Sequence, residues 1–498
     1  MIVTRYKFMS LMLIIGVSGC GERSDAPSHG GSSETATEDP GSTNSEATDE
    51  VTDLAAEVPS VEERYPVHGL VTGLQLSIRS GPSPDARRIG SLRLGARIRL
   101  RDRRHPSERC ATGWYPVHPR GWVCAGQGIE MGTEPVDSTI AQVPPPANEP
   151  LPYAYQRVQQ KMTAEYHRPP SAEEQRATWA YARRYLSLVE EDPAKAERLQ
   201  QGELPGEPLR PSRVRRFLDR GFYVTTPVQD TPGESEFMRT VQGSYVWRAR
   251  LARRTGSDFQ GVLAPEGEAL RLPIVWMRRT ARPRRQRPRG DGTIRWAENT
   301  DLEVQERQTL VEGWLRRERH GERMMHVLEG ERYFLSWFLS VAEPPPPEIT
   351  NRFEFADDEV WVHVNLAEQN LVVYRGHLPI FATLISSGMD GHETPTGFFR
   401  IQRKLKTATM ASLGPDAGED RYRIEDVPWT QYFDGSIAIH GAFWHGRFGL
   451  ERSHGCVNLS PTDARTVFEL TGPTLPEGWH AMEANSDEAP GSRVIVTG

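Results

Sequence analysis

The chain has 498 residues, 37% of them hydrophobic, and a formal net charge of −7. A single core seldom exceeds about 250–300 residues, so several domains are expected. The mild charge is unevenly spread: residues 21–64 carry twelve acidic and two basic side chains, and the rest is only slightly basic, so no nucleic-acid partner follows from it.

Residues 1–19 read as a secretory signal, with Arg5 and Lys7 ahead of an apolar run too short to span a bilayer as a mature helix. Val17-Ser18-Gly19-Cys20 resembles a bacterial lipobox. That resemblance implies cleavage before Cys20 and its acylation, and two or three acyl chains anchor firmly where one would not. Gly21, where an aspartate would signal retention, favours by the same resemblance the outer membrane and a periplasmic location. An ordinary cleaved signal with a chance cysteine is the alternative. Residues 20–63 are Ser, Gly, Thr, Glu and Asp with hardly any large apolar side chain, which predicts a disordered tether. As a coil it would reach roughly 35 Å end to end.

Residues 64–131 show short apolar alternations broken by glycine, the pattern of a small all-β barrel. The pieces resemble a bacterial SH3-like domain, with Ser77 in place of the usual asparagine before Arg79-Ser80-Gly81-Pro82. Such modules often bind cell-wall peptides, and a plain spacer is the competing reading. Residues 132–150 form a proline-rich linker.

Residues 151–343 read as a mixed α+β middle region packed on or beside the C-terminal part of the chain. Ser171 and Glu174 form a capping box opening an amphipathic helix that ends before Pro193. Gly221–Thr226 and Phe237–Val246 read as paired strands, and the segments around Leu315 and Phe334 as further ones. Arg278–Arg289 holds seven arginines and two prolines. It is expected to be a solvated loop, the alternative being contact with a polyanion. A tetraproline opens a linker over 344–356.

Residues 357–498 begin with a hairpin, Val360–Leu366 and Leu371–Tyr374. Strands follow at Ile380–Ile385, Gly397–Gln402 and Ser436–His440, and a helix at Pro461–Leu470 with proline in its first turn. Residues 403–434 are expected to loop over a cleft, with Trp429 in the core.

Between His440 and Asn458, nineteen residues hold one cysteine and three histidines. A cysteine attacks as its thiolate, and at an ordinary pKa of about 8.5 little is ionised at neutral pH, so a base is needed. His440, at the end of an alternating strand, is rigidly mounted. His454 would share a face with Cys456 if the segment were extended. Gly455 lets the backbone bend, so that the amides of Gly455 and Cys456 could face an oxyanion. A buried structural thiol, or a metal site using His440, His445, His454 and Cys456, are the competing readings. No paired spacing of the usual zinc kinds accompanies them.

These residues resemble the signature of the L,D-transpeptidases, which remodel bacterial peptidoglycan. The resemblance implies that Cys456 is the nucleophile and His440 its base, held by the Gly441 carbonyl, with Ser453, His454, Gly455 and Asn458 completing the motif. Tyr422 and Trp444 match aromatics of the family's substrate cleft, Met410 is assigned to the same lining, and Thr394-Pro395-Thr396-Gly397-Phe398 matches a second segment. With Cys20 lipidated and Cys456 catalytic, Cys110 and Cys124 remain and can pair in an oxidising compartment. Closing that loop would stabilise by about 3 kcal/mol.

The expectation is therefore a multidomain, mainly β protein. A β-rich transpeptidase sandwich or barrel with at least one helix follows an SH3-like barrel and the α+β middle region. It needs no cofactor or metal, acts on peptidoglycan stem peptides and is held to a membrane by its N-terminal lipid. His440 would deprotonate Cys456, a standing thiolate–imidazolium pair being one form of that step, and the sulfur would attack the carbonyl of the L-configured third residue of a tetrapeptide, release D-Ala and pass the acyl group to an amine. A zinc amidase and a non-enzymatic wall-binding anchor are the alternatives.

Overall fold

A computed structural model describes residues 59–136, 149–228, 235–311, 313, 315–414, 421–485 and 488–498. The signal, Cys20, nearly all of the tether and most of the 132–150 linker lie outside the described residues. Order begins earlier than the tether's expected end at residue 63. Ser60 accepts from the Glu63 amide and the Glu63 carboxylate accepts from the Ser60 amide, a capping box that starts the one-turn helix Val61–Arg64.

The described chain from Pro59 onward is one contact unit, and its main feature is a sheet of thirteen strands. The sheet starts in the N-terminal β domain, passes from Arg88–Arg93 to Ala481–Glu483, and continues through Arg403–Ser412 and Tyr422–Asp434. It ends on three strands of the middle region, Tyr223–Thr226, Ala154–Val158 and Leu251–Arg254. The N-terminal domain does not close its own core. Trp479, Met482 and Ala489, from the far end of the chain, pack among Leu76, Ile78, Leu92 and Val123. Gly90 is required at that contact, because a Cβ there would lie 2.5 Å from the Ala481 carbonyl oxygen and from the Trp479 ring. Cys110 and Cys124 are disulfide-bonded within this domain.

Residues 357–498 form a sandwich. A six-stranded sheet includes the hairpin Val360–Asn365 and Asn370–Arg375, with the C-terminal strand Arg493–Thr497 parallel to the first of them. Alternation puts Val362, Val364, Leu371 and Val373 on its inner face against Phe433, Ile439, Val457 and the helix Pro461–Leu470. The edge of this sheet is completed by Val262–Leu263 of the middle region, paired with Leu378–Leu384.

Four expectations are corrected. The described residues of 403–434 are strands rather than a loop: Arg403–Ser412 pairs antiparallel with Tyr422–Asp434, with a register shift between Ala408 and Met410. The bulge and the internal Pro428 break the alternation a sequence reader seeks. The arginine-rich segment is likewise a strand, Arg284–Pro288, paired with Ile294–Glu298. Its prolines stand before the strand and at its last residue, where a missing N–H disturbs little of the ladder. Gly221–Thr226 does not pair with Phe237–Val246. Tyr223–Thr226 enters the large sheet, while Phe237–Arg239 and Tyr245–Trp247 make their own hairpin around Gly243. The 344–356 linker is packed: Pro347–Thr350 is a helical turn with Ile349 buried, and Phe355 stacks on Trp361 at 4.4 Å.

One buried carboxylate joins the three parts. Asp426, on the strand Tyr422–Asp434, receives Arg93 Nη1 of the N-terminal domain at 2.5 Å, Thr225 Oγ1 of the middle region at 2.5 Å and Thr407 Oγ1 at 3.1 Å. Its carbonyl accepts from the Tyr155 hydroxyl at 2.6 Å. Burial alone would raise the Asp426 pKa, but Arg93 and the Thr225 hydroxyl outweigh it and hold the carboxyl below its usual value. Removing one partner of a buried pair strands the other, so Asp426→Ala is expected to destabilise by about 3–5 kcal/mol in urea unfolding. A loss below about 1 kcal/mol would show that the junction holds without it. Since the folded pKa lies below the unfolded one, the contribution is complete above pH of about 4. It declines as pH falls through the folded value.

Candidate active site

His440 lies on the strand Ile437–Gly441, which is antiparallel to Tyr422–Asp434 and parallel to Val457–Leu459. The parallel register sets His440 beside Asn458 and Ile439 beside Val457. Cys456 stands one residue before that paired register, and Ala438 and His440, two apart on their strand, share one face. Cys456 is a free, partly exposed thiol whose sulfur meets the Ala438 amide and lies 3.8 Å from the Ser436 carbonyl oxygen. His440 is buried, and its Nδ1 lies 3.3 Å from the Gly441 carbonyl oxygen. That acceptor places the proton on Nδ1 and leaves Nε2 as the basic nitrogen.

The turn before the thiol is sewn in place. Gly455 has φ +104°, and a Cβ there would come 2.7 Å from Ile437 Cδ1. Ser453 Oγ donates to the Cys456 carbonyl and accepts the Gly455 amide at 3.2 Å. Thr394 Oγ1 donates to the Gly455 carbonyl at 2.8 Å and accepts the Gly388 amide at 2.9 Å. The Gly455 amide is thus occupied, which corrects the two-amide oxyanion site and leaves the Cys456 amide as its candidate. His454 is also placed differently. The bend turns it outward, exposed, with its ring 4.5 Å from His392 and 5.7 Å from Tyr422. It does not share the extended face with Cys456.

Trp444 sits 5.7 Å from the His440 ring, and Met410 packs with Tyr422, Trp444 and Ile424. Burial raises the Tyr422 phenol, and the Cys456 sulfur raises it further. Tyr432 has the same neighbour and lies against Arg403 at 4.5 Å. No local signal in the sequence marks it, because the burial of its strand does not alternate. The rim between His440 and Ser453 is braced by the middle region: Arg307 donates to the Gly446 carbonyl at 3.0 Å, and Phe259 stacks on Phe448. Asp463 of the following helix accepts the Gly261 amide at 2.9 Å.

His445 is a further participant. Its Nδ1 accepts the Arg447 amide at 3.3 Å, while its Nε2 lies 3.1 Å from Asn458 Nδ2 and Asn458 Oδ1 is buried without a partner. Burial, then Arg452 and His440, pull His445 down to about 4, so the ring is neutral and its proton sits on Nε2. Turning the Asn458 amide over gives that proton Oδ1 as acceptor and satisfies the orphaned oxygen. With His445 so engaged and His454 turned away, the four residues weighed as metal ligands do not converge. Among the described residues no group of three His, Cys, Asp or Glu is placed to hold a metal.

Burial pushes the Cys456 thiol up to about 11, opposed by the Ala438 amide, and pulls His440 down to about 4, opposed by the Gly441 carbonyl. Both shifts favour the neutral forms of the two groups over a thiolate–imidazolium pair.

Residues 359–496 match the L,D-transpeptidase catalytic domain family, YkuD. A Bacillus subtilis (strain 168) protein, YciB, whose name assigns it provisionally to the L,D-transpeptidases, is 29% identical over 122 residues; these are 22% of this chain and 60% of that relative's length. Among solved structures, an Enterococcus faecium L,D-transpeptidase mutant aligns at 21% identity over 28% of this chain and 50% of its own, with a TM-score of 0.22. L,D-transpeptidase 3 from Mycobacterium tuberculosis, in complex with a faropenem-derived adduct, aligns at 19% over 28% and 60%, with a TM-score of 0.23.

A raised thiol pKa predicts that Cys456 alkylation by iodoacetamide climbs with pH and still rises at pH of about 9.5, because the thiolate fraction keeps growing until pH reaches the thiol pKa. A plateau reached below pH 7 would instead mean a standing ion pair.

Proposed function

We propose that this chain, whose residues 359–496 are an L,D-transpeptidase catalytic domain, is a cysteine-dependent peptidoglycan transpeptidase in which Cys456 attacks and His440 moves the proton. The observation that carries the reading is the strand Ile437–Gly441, which mounts the buried, Nε2-basic His440 and whose Ala438 amide meets the sulfur of the partly exposed Cys456. Because burial favours the neutral forms of both groups, attack and proton transfer are coupled. As Sγ bonds to the carbonyl carbon of the third, L-configured stem residue, its proton passes to His440 Nε2. The carbonyl oxygen takes up the negative charge and is stabilised by the Cys456 amide. Collapse returns the proton to the departing amine of D-Ala and leaves a thioester on Cys456. An amine acceptor then repeats the sequence in reverse: the deprotonated nitrogen forms the new amide and the thiol is regenerated.

Tyr422, Trp444, Met410 and Tyr432 line the approach. The outward His454, between His392 and Tyr422, acts at the rim. The signal and lipobox-like cysteine support export and a lipid anchor at Cys20, and the bonded Cys110 and Cys124 suit an oxidising envelope compartment.

The test is intact-mass spectrometry of the soluble chain, lacking residues 1–20, after incubation with a carbapenem. One covalent adduct is expected on the wild type and none on Cys456→Ala. His440→Ala should acylate at least about 100-fold more slowly while remaining folded, in keeping with loss of a general base. Acylation of His440→Ala at the parent rate would remove His440 from the mechanism, and no adduct on folded wild type would count against the assignment.

A further inference from the structure

A cleft of about 640 Å³ lies apart from the residues assigned to chemistry, at the junction of the three parts of the chain. One wall is Arg93–Arg97 of the N-terminal domain, another is Tyr153, and the rest comes from Lys404–Thr407, the helix Pro461–Leu470 and the segment 474–480. Its volume is that of sites that bury a small ligand. Four rings, Tyr153, Trp429, Phe468 and Trp479, give it apolar walls.

Its charge is mainly positive, and most of the cations are already engaged. Arg93 is held by Asp426, Arg465 pairs with Glu469 at 2.7 Å, and buried Lys404 Nζ donates to the carbonyls of Phe468 and Thr471 at 2.5 and 2.7 Å. Lys406 differs. The same strand brings it to the cleft, where the described residues offer its ammonium no hydrogen bond and no ion pair. Burial lowers its pKa, with Glu477 opposing. A partly desolvated, unpaired ammonium beside aromatic walls is costly alone and is stabilised by an anion that brings its own apolar body.

We propose that this cleft is a second ligand site that binds a carboxylate-bearing peptide, its carboxylate on Lys406 and its apolar parts against Trp429, Tyr153 and Phe468. Choosing a peptide among organic anions rests on the reading of the chain as a peptidoglycan transpeptidase. Because the walls come from three parts of the chain, occupancy ties the N-terminal domain to the strand that also carries Tyr422 and Tyr432.

The experiment is calorimetric titration of the full folded chain carrying Cys456→Ala, which prevents turnover, with a stem tetrapeptide and with the same peptide amidated at its carboxylates. Lys406→Gln in that background is expected to weaken one binding event at least about tenfold, and the amidated peptide should lack that event altogether. Ala96→Trp, which fills the cleft from the opposite wall, should do the same and serves if Lys406→Gln does not fold. Protection of Cys456 from iodoacetamide by the peptide, measured with Lys406→Gln alone, should match that of the wild type. Identical titrations with and without Lys406→Gln or Ala96→Trp overturn the cleft proposal even where Cys456 is protected. A Lys406-dependent event without protection of Cys456 upholds the cleft and counts against the transpeptidase reading instead.

Discussion

Asp426 is the constraint on which the rest of the molecule depends. A carboxylate this deeply buried is tolerable only when its oxygens are met by donors. Here the donors come from sequence positions far apart: Arg93, Thr225 and Thr407. Satisfying one charge therefore fixes the relative placement of three segments that hydrophobic packing alone would leave free to slide. Asp426 and Trp429 both have positive φ, which costs a non-glycine residue energy and persists only where the surroundings over-determine it. The hydrogen bond from Trp429 Nε1 to the Pro150 carbonyl, at 2.6 Å, is a second tie of the same kind.

The site inherits its geometry from that junction. Tyr422 and Met410 lie toward one end of the strand pair pinned by Asp426, and Gln431 farther along pairs with Ile439, next to His440. The His440 strand in turn pairs with Val457–Leu459, the strand that directly follows Cys456. A shift of one residue in a strand would send His440 to the opposite face, so register is functionally decisive here. The middle region adds a second restraint through Arg307 on Gly446 and Gly261 on Asp463. The rim, short in sequence, is thus braced from outside. Nor is the N-terminal domain a separable spacer, since Trp479, Met482 and Ala489 complete its core.

What the sequence made legible was local. The residues from His440 to Asn458 carry most of their chemistry within nineteen positions, and alternation located the strands around Val362 and Ile439. Proline at the first turn located the helix Pro461–Leu470, and the Ser171 capping box located Ala172–Glu191. What failed was non-local. Arg284–Pro288 has no apolar face of its own and is a strand because Ile294–Glu298 pairs with it. His445 gains meaning only through Asn458, thirteen residues on, and the Arg447 amide. Tyr432 meets Cys456 across the sheet. Nor does any motif record the desolvation that pushes the Cys456 thiol up and His440 down.

That desolvation bears on how the proposed thiol enzyme would persist in the oxidising compartment proposed for it. Oxidation and exchange run through the thiolate, so a thiol held near 11 is poorly nucleophilic toward oxidants at neutral pH. The same burial leaves His440 unprotonated across the working pH range, hence always ready to accept a proton. Neither property makes the site inert toward a bound acyl donor. As the sulfur attacks, charge moves to the carbonyl oxygen and to the imidazole together, inside a poorly solvated pocket where fixed dipoles act strongly. The Gly441 carbonyl faces the Nδ1–H of the developing imidazolium, and the Cys456 amide faces the oxyanion. The ionised state is then stabilised chiefly when a carbonyl is present to share it. On the proposed mechanism, selectivity for reaction over oxidation would follow from the burial that favours the neutral forms of both groups.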